Sequence, residues 1–338
     1  MTAVHAAEAA HSHRDNHRHN HREGRRTRRR LLACLPLCLA LLSACSGLQL
    51  INDVTPATGY TLQAGVPYGP LPRQRLDIYR PTAPLPQGQT DWPVVVFFYG
   101  GSWREGDRGE YRFVAQALAD KGAVVVVPDY RLYPAVQWRG ILDDCAAAVA
   151  WTLQHATDYA GDPRRVLVAG HSAGAYNAAM VALDPDLLAK YGSKPAALAG
   201  FIGLAGPYDF VPIQDTDVLP VFGGPRPPPE SQPMFYAQAG HAPARTLLIA
   251  ADDDHLVDPQ RNTVGLAAAL RQDGAPVEAH LFPRLSHATT VGAFALPLRG
   301  LAPVLDDVAR FVRDTPAVGS VQAAATNPIN ETRSQAAR

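Results

Sequence analysis

Five residues, Gly170-His171-Ser172-Ala173-Gly174, hold a serine hydroxyl between two glycines. Before them Arg165-Val166-Leu167-Val168-Ala169 is a short apolar, β-branched run, and after them Ala175 to Leu183 is Ala-rich. A strand that turns through G-x-S-x-G straight into a helix exposes the serine at its apex as a nucleophile. The flanking glycines permit the sharp turn and the close approach of helix to strand. His171 is the variable residue of the pentapeptide and is expected to point away from the hydroxyl.

A serine hydroxyl attacks poorly at neutral pH. It needs a base to take its proton and an acid to orient that base. With this elbow the order along the chain is serine, acid, histidine. Of twelve histidines, six fall in the first 21 residues and six remain in the body. His155 precedes the nucleophile in a helical run, His241 and His255 come before or at the acidic segment, and His280 lies within a predicted strand. His287, in Pro283-Arg284-Leu285-Ser286-His287-Ala288, follows that strand in a loop. Loops beyond the carboxyl ends of strands are where open α/β sheets gather their ligands. The acid is expected after the preceding strand, in Ala251-Asp252-Asp253-Asp254-His255-Leu256-Val257-Asp258, where the residues alone do not separate Asp252, Asp253 and Asp254. Donors for a developing oxyanion are expected from the backbone of Gly100, Gly101 and Ser102, directly after an apolar strand, together with Ala173.

These groups need a scaffold, and the chain alternates strand and helix. Arg75–Tyr79, Pro93–Phe98 and Ala123–Val127 read as strands, with a helix over Arg112–Lys121 stopped by Gly122. A longer helix over Arg139–His155 leads to the strand before Ser172. Further strands are expected at Gly200–Leu204, Thr246–Ala250 and Val277–Leu281, with helices near 260–272 and 302–313. Continuous apolar strands separated by helices predict an α/β fold, a mostly parallel central sheet with helices on both faces. Pro212–Gln238 offers no regular element and reads as a loop or lid.

With 338 residues, 47% hydrophobic and 18% charged, the chain can bury a large core. Formal charge is zero, yet residues 1–30 hold eight of the 31 basic and three of the 31 acidic side chains. The remainder is therefore net acidic, which argues against nucleic acid as a partner. The basic block Arg25–Arg30 and the apolar run Leu31–Leu42 form an export signal, shorter than the ~20 residues that span a bilayer. Leu42-Ser43-Ala44-Cys45 resembles a bacterial lipobox, which would place a lipid on Cys45 and the protein on the periplasmic side of a membrane. Thr27-Arg28-Arg29-Arg30-Leu31-Leu32 also resembles a twin-arginine signal. Cys34 and Cys38 leave with the signal, so Cys145 is the one cysteine of the body and reads as a buried apolar residue. The expected organisation is an export signal over 1–44, a tether over 45–64, a catalytic domain over 65–314 and a disordered tail over 315–338.

Together these pieces resemble the α/β-hydrolase fold carboxylesterases, the branch related to hormone-sensitive lipase, feruloyl esterases and kynurenine formamidases. The resemblance covers about residues 65–313. It runs through Leu76-Asp77-Ile78-Tyr79-Arg80-Pro81, Gly100 to Asp107, Asp129-Tyr130-Arg131-Leu132-Tyr133-Pro134, the pentapeptide around Ser172, Gly206-Pro207-Tyr208-Asp209 and the turn from Asp254 to Val257. It implies an α/β-hydrolase fold, Asp254 as the acid, His287 as the base, and oxyanion donors at about Gly101, Ser102 and Ala173. The family usually has histidine before the paired glycines; here Tyr99 stands there, and its phenol is the group that could take over the loop-fixing hydrogen bond. Ala251 replaces a usual glycine. The expected activity is hydrolysis of a small or short-acyl carboxylic ester through an acyl-enzyme, with no metal or organic cofactor implied. Two alternatives are an arylformamidase-like amide hydrolase and a non-catalytic binding lipoprotein.

Overall fold

The computed structural model describes residues 46–319, apart from 240 and 242. Residues 1–45, where the export signal and the lipid-bearing Cys45 are expected, and the tail from 320 onward lie outside the described residues. Ser46–Asp53 is a short helix.

From Val54 onward the chain builds one eight-stranded sheet of order β1-β2-β4-β3-β5-β6-β7-β8. The strands are β1 Tyr60–Pro67, β2 Arg75–Pro81, β3 Trp92–Phe98, β4 Val124–Pro128, β5 Gly161–His171, β6 Gly200–Leu204, β7 Thr246–Ala251 and β8 Val277–Phe282. β1 and β2 run antiparallel to their neighbours, and β4, β3, β5, β6, β7 and β8 pair in parallel. The fold is that of an α/β hydrolase. β3, β4, β6 and β7 are buried along their whole length, as continuous apolar runs covered on both faces must be.

The strand order fixes where a site can form. From β3 the chain steps one way to β4, then crosses back over β3 to β5 and continues to β6. Right-handed crossovers then put helix Arg112–Asp120 on one face and Trp138–His155 on the other. Helix Ala173–Leu183 packs against Trp138–His155, and helix Val304–Asp314 packs against Arg112–Asp120. Where the direction reverses, between the carboxyl ends of β3 and β5, a crevice opens that neither crossover covers. Gly100 follows β3 there, and Ser172 follows β5.

Several segments differ from the sequence reading. The segment read as a tether carries both the helix Ser46–Asp53 and strand β1, which pairs with β2 from Tyr60 opposite Pro81 to Pro67 opposite Arg75. β1 is an edge strand with no fully buried residue, so it has no apolar alternation to read. The stretch 212–238 holds the short helices Leu219–Phe222 and Pro233–Gln238. The tail read from 315 begins in ordered contact: Thr315 is buried, and the Val318 N–H donates to the Arg164 carbonyl at 2.8 Å.

Candidate active site

Ser172 sits at φ 55°, ψ −123°, a left-handed conformation that costs a non-glycine residue of order 1–3 kcal/mol. The surroundings hold it there. Its N–H donates to the Leu204 carbonyl at 2.9 Å, and the N–H groups of Ala175 and Tyr176 return to the Ser172 carbonyl. A Cβ on Gly170 would lie 2.2 Å from the Gly174 carbonyl oxygen, and one on Gly174 would lie 2.0 Å from that of Phe98. Both positions therefore require glycine because backbone meets backbone.

The candidate base comes from the other end of the sheet. His287 is the first residue of helix His287–Gly292, whose N-cap Ser286 forms a capping box with Thr289, and not a loop residue as the sequence suggested. Its Nε2 stands 2.8 Å from Ser172 Oγ and its Nδ1 2.8 Å from Asp254 Oδ2. The carboxylate is acceptor-only, so Nδ1 carries the proton and Nε2 is left to accept from the serine. Asp254 is buried, and its other oxygen accepts the N–H groups of Leu256 at 2.9 Å and Val257 at 3.1 Å. Burial alone would raise its carboxyl, but the His287 contact and these two N–H donors outweigh burial and hold it below the ordinary aspartate value. Among the three aspartates left open, only Asp254 is buried; Asp252 and Asp253 are exposed.

The oxyanion loop divides its amides. The Gly100 N–H donates to the Tyr111 hydroxyl at 3.3 Å, so of the four expected donors Gly100 is already engaged. Gly101, Ser102 and Ala173 line the cleft, and among the described residues their N–H groups have no acceptor. Ala173 opens its helix, so its N–H has no intrahelical partner, and the helix dipole favours negative charge beside it.

Beneath the loop lies a polar support that no local pattern announces. The Tyr99 hydroxyl donates to Asp129 Oδ1 at 3.0 Å and accepts from Arg73 Nη2 at 3.0 Å. Arg108 joins Asp129 to Asp77, and the Tyr130 hydroxyl donates to the Tyr99 carbonyl at 2.7 Å. Burial, then the Asp129 charge, hold the Tyr99 phenol well above its ordinary value, so it stays a neutral donor. Tyr99 thus ties the loop before the paired glycines to Arg73 and Asp129. His171 is also closer to the chemistry than expected: its ring centroid is 5.0 Å from that of His287 and it lines the cleft.

The cleft itself is a cavity of about 730 Å³. One wall is aromatic: Trp103 stacks on Phe210 and meets Tyr176 and Phe222 edge-on, with its indole N–H donating to Asn177 Oδ1 at 3.0 Å. Another part of the rim is pinned by Asn262, whose Oδ1 accepts the N–H groups of Tyr208 and Asp209, and by the Arg261–Asp209 ion pair at 2.9 Å. Among the described residues no group of three His, Cys, Asp or Glu side chains is placed to hold a metal ion.

The BD-FAE family model matches residues 76–270, more than half of the chain. A protein of Oryza sativa subsp. japonica named probable isoprenylcysteine alpha-carbonyl methylesterase ICMEL1 is 27% identical over 257 residues, covering 70% of this chain and 58% of that protein. The kynurenine formamidase of Danio rerio is 35% identical over 153 residues, 45% of this chain and 48% of that one. The chain spans less than two thirds of the length of these curated relatives. Among solved structures, esterase B from Lactobacillus rhamnosis superposes with a TM-score of 0.66 at 18% identity, over 87% of this chain and 98% of that one. A truncated carbohydrate esterase from gut microbiota gives 0.65 at 19% identity, over 77% and 98%. These two likenesses concern the fold.

Proposed function

The chain belongs to the BD-FAE family, and from that premise we propose that it is a serine carboxylesterase acting on small or short-acyl esters through an acyl-enzyme. One observation carries the reading: the continuous relay from Ser172 Oγ through His287 to Asp254, with both contacts at 2.8 Å. Ser172 Oγ attacks the acyl carbon while His287 Nε2 takes its proton. Asp254 remains ionised and stabilises the imidazolium. The carbonyl oxygen, now negative, receives the N–H groups of Ala173 and the Gly101–Ser102 turn; each such donor is worth roughly 10²–10³ in turnover. The C–O bond then breaks, His287 returns its proton to the departing alkoxide, and the acyl group stays on Ser172. Water repeats the sequence, losing its proton to His287 and releasing the acid and free serine.

The acyl group is assigned to the aromatic side of the cleft. Trp103 follows Ser102 directly, so its ring borders the oxyanion loop, and Phe210 and Phe222 stand around it. Such a wall leaves room for a short chain. The same relay would cleave an aryl formamide, and the likeness to a kynurenine formamidase makes that the second reading.

Fluorophosphonate labelling of the protein beside Ser172→Ala, with p-nitrophenyl esters of increasing acyl length, tests the proposal. Labelling and turnover confined to the wild type, falling as the acyl chain lengthens, is the expected result. A folded wild type that neither labels nor hydrolyses any ester would favour the non-catalytic reading, and a strong preference for the formamide of the same acyl group would favour the second.

Export and lipid attachment at Cys45 complete the proposal; they rest on the residues from Arg25 to Cys45. Among the described residues no helix is long and apolar enough to cross a membrane. Loss of membrane association in Cys45→Ser, with esterase activity kept, is the expected outcome.

A further inference from the structure

The base of the relay rests on an edge of the sheet. β8 is an edge strand, paired on one side only with β7, and every residue of it is half-buried. Beyond it the Leu285 N–H reaches the Phe282 carbonyl at 3.4 Å, and the capping box of Ser286 and Thr289 ties His287 to its own short helix and not to β5. The hydrogen bond to Asp254 fixes the direction of the His287 ring but does not anchor its backbone. Ser172, by contrast, follows the central strand β5. Rate depends on keeping these two residues in register, and a misplacement of about 1 Å can cost on the order of 10²-fold.

Among the described residues one hydrogen bond joins the His287 backbone to the strand that carries Ser172. His171 Nε2 lies 3.0 Å from the His287 carbonyl oxygen. A carbonyl only accepts, so Nε2 carries the proton and Nδ1 is bare. Nδ1 is buried and has no partner among the described residues, an uncompensated polar atom of the kind native proteins keep where something is gained. An aliphatic side chain at 171 would avoid that cost and lose the donor.

We propose that His171 is a positioning residue that clamps the His287 backbone to the nucleophile's own strand, so that the base is held in register with Ser172. The clamp joins adjacent residues of the elbow to the two ends of one transfer: residue 171 holds the backbone of His287, and residue 172 meets its side chain. Burial, then the neighbouring His287, push the His171 imidazole down to about 3, so it stays a neutral donor at working pH. This inference rests on the serine-esterase reading above.

The test compares His171→Gln, whose amide nitrogen can take the place of Nε2, with His171→Asn, equally polar but too short to reach the carbonyl, and with Ser172→Ala. The expected result is a loss of about 10- to 100-fold in kcat and in the fluorophosphonate labelling rate for Asn, with KM and thermal midpoint little changed and Gln within a few-fold of wild type. Nitrogen NMR of the wild type should find His171 as the Nε2–H tautomer. Equal losses in Gln and Asn, wild-type kcat in Asn, or an Nδ1–H tautomer would each overturn the clamp while leaving the relay standing. Full activity in Ser172→Ala would instead remove the reading on which the clamp rests.

Discussion

The phenol of Tyr99 donates to Asp129 Oδ1 at 3.0 Å, and that contact ties the residue before Gly100 and Gly101 to a carboxylate thirty residues further along the chain. Asp129 follows β4 directly, so the bond fastens the end of β3 to the end of its parallel neighbour. Arg73 Nη2 closes the arrangement on the same hydroxyl. Tyr99→Phe keeps the ring stacked on Tyr130, whose centroid is 4.6 Å away, and deletes only the oxygen. The expected loss is about 1–3 kcal/mol, read as a lowered thermal midpoint. Turnover should fall with KM unchanged, by less than the roughly 10²-fold that deleting an oxyanion donor costs. An unchanged midpoint and rate would show that the stacked rings alone hold the loop.

Asp254→Asn replaces an acceptor-only group by an amide that can hold the wrong tautomer of His287, and kcat should fall by about 10⁴-fold. The stability effect has a definite sign. The folded carboxyl lies below the ordinary aspartate value of about 3.9, so its contribution is complete above that value and is lost as pH falls through the folded pKa. Urea midpoints of wild type and Asp254→Asn should therefore differ by a constant amount above about pH 5 and converge below about pH 4. A gap that widened on acidification would contradict the assignment.

Gly174→Ala tests whether the elbow is closed by backbone. Its Cβ would lie 2.0 Å from the Phe98 carbonyl oxygen and 2.4 Å from that of Tyr99, neither of which can swing aside. Overpacking against movable side chains costs about 1–3 kcal/mol, so this change should exceed that range and lower soluble yield. Gly300→Ala, where a Cβ meets nothing within 4 Å, is the control and should leave the thermal midpoint nearly unchanged.

The parts of this molecule that were readable from residues are those whose partners are implied by local pattern. β3, β4, β6 and β7 announce themselves because a strand covered on both faces must be apolar throughout. Ser172 is visible because the elbow needs glycine on both sides, and His287 because chain order leaves few candidates. Asp254 was not separable from Asp252 and Asp253 by composition, since burial distinguishes them and burial is a tertiary fact. The same reason hid the engagement of the Gly100 N–H: its acceptor, Tyr111, belongs to a later turn with no fixed spacing. β1 escaped because an exposed edge strand carries no apolar signature. His171 escapes a local reading because its pentapeptide position is variable, and its contact lies 116 residues away.

The aromatic wall gives the last prediction its direction. Trp103 is buried at φ 59°, and its indole N–H is committed to Asn177 Oδ1 at 3.0 Å. It therefore cannot swing out to admit a longer chain without breaking that bond and leaving Asn177, whose Nδ2 already lacks a partner, wholly unsatisfied. Trp103→Ala removes the barrier and should cost about 3–5 kcal/mol of stability. It should also raise the ratio of kcat/KM for hexanoate over acetate esters, each newly accommodated methylene being worth about tenfold or more. A ratio that stayed constant in a folded variant would place the acyl chain along the other rim instead, where Leu256 stands 78% exposed with its backbone fastened to Asp254. Leu256→Ala would then be the change that moves the ratio.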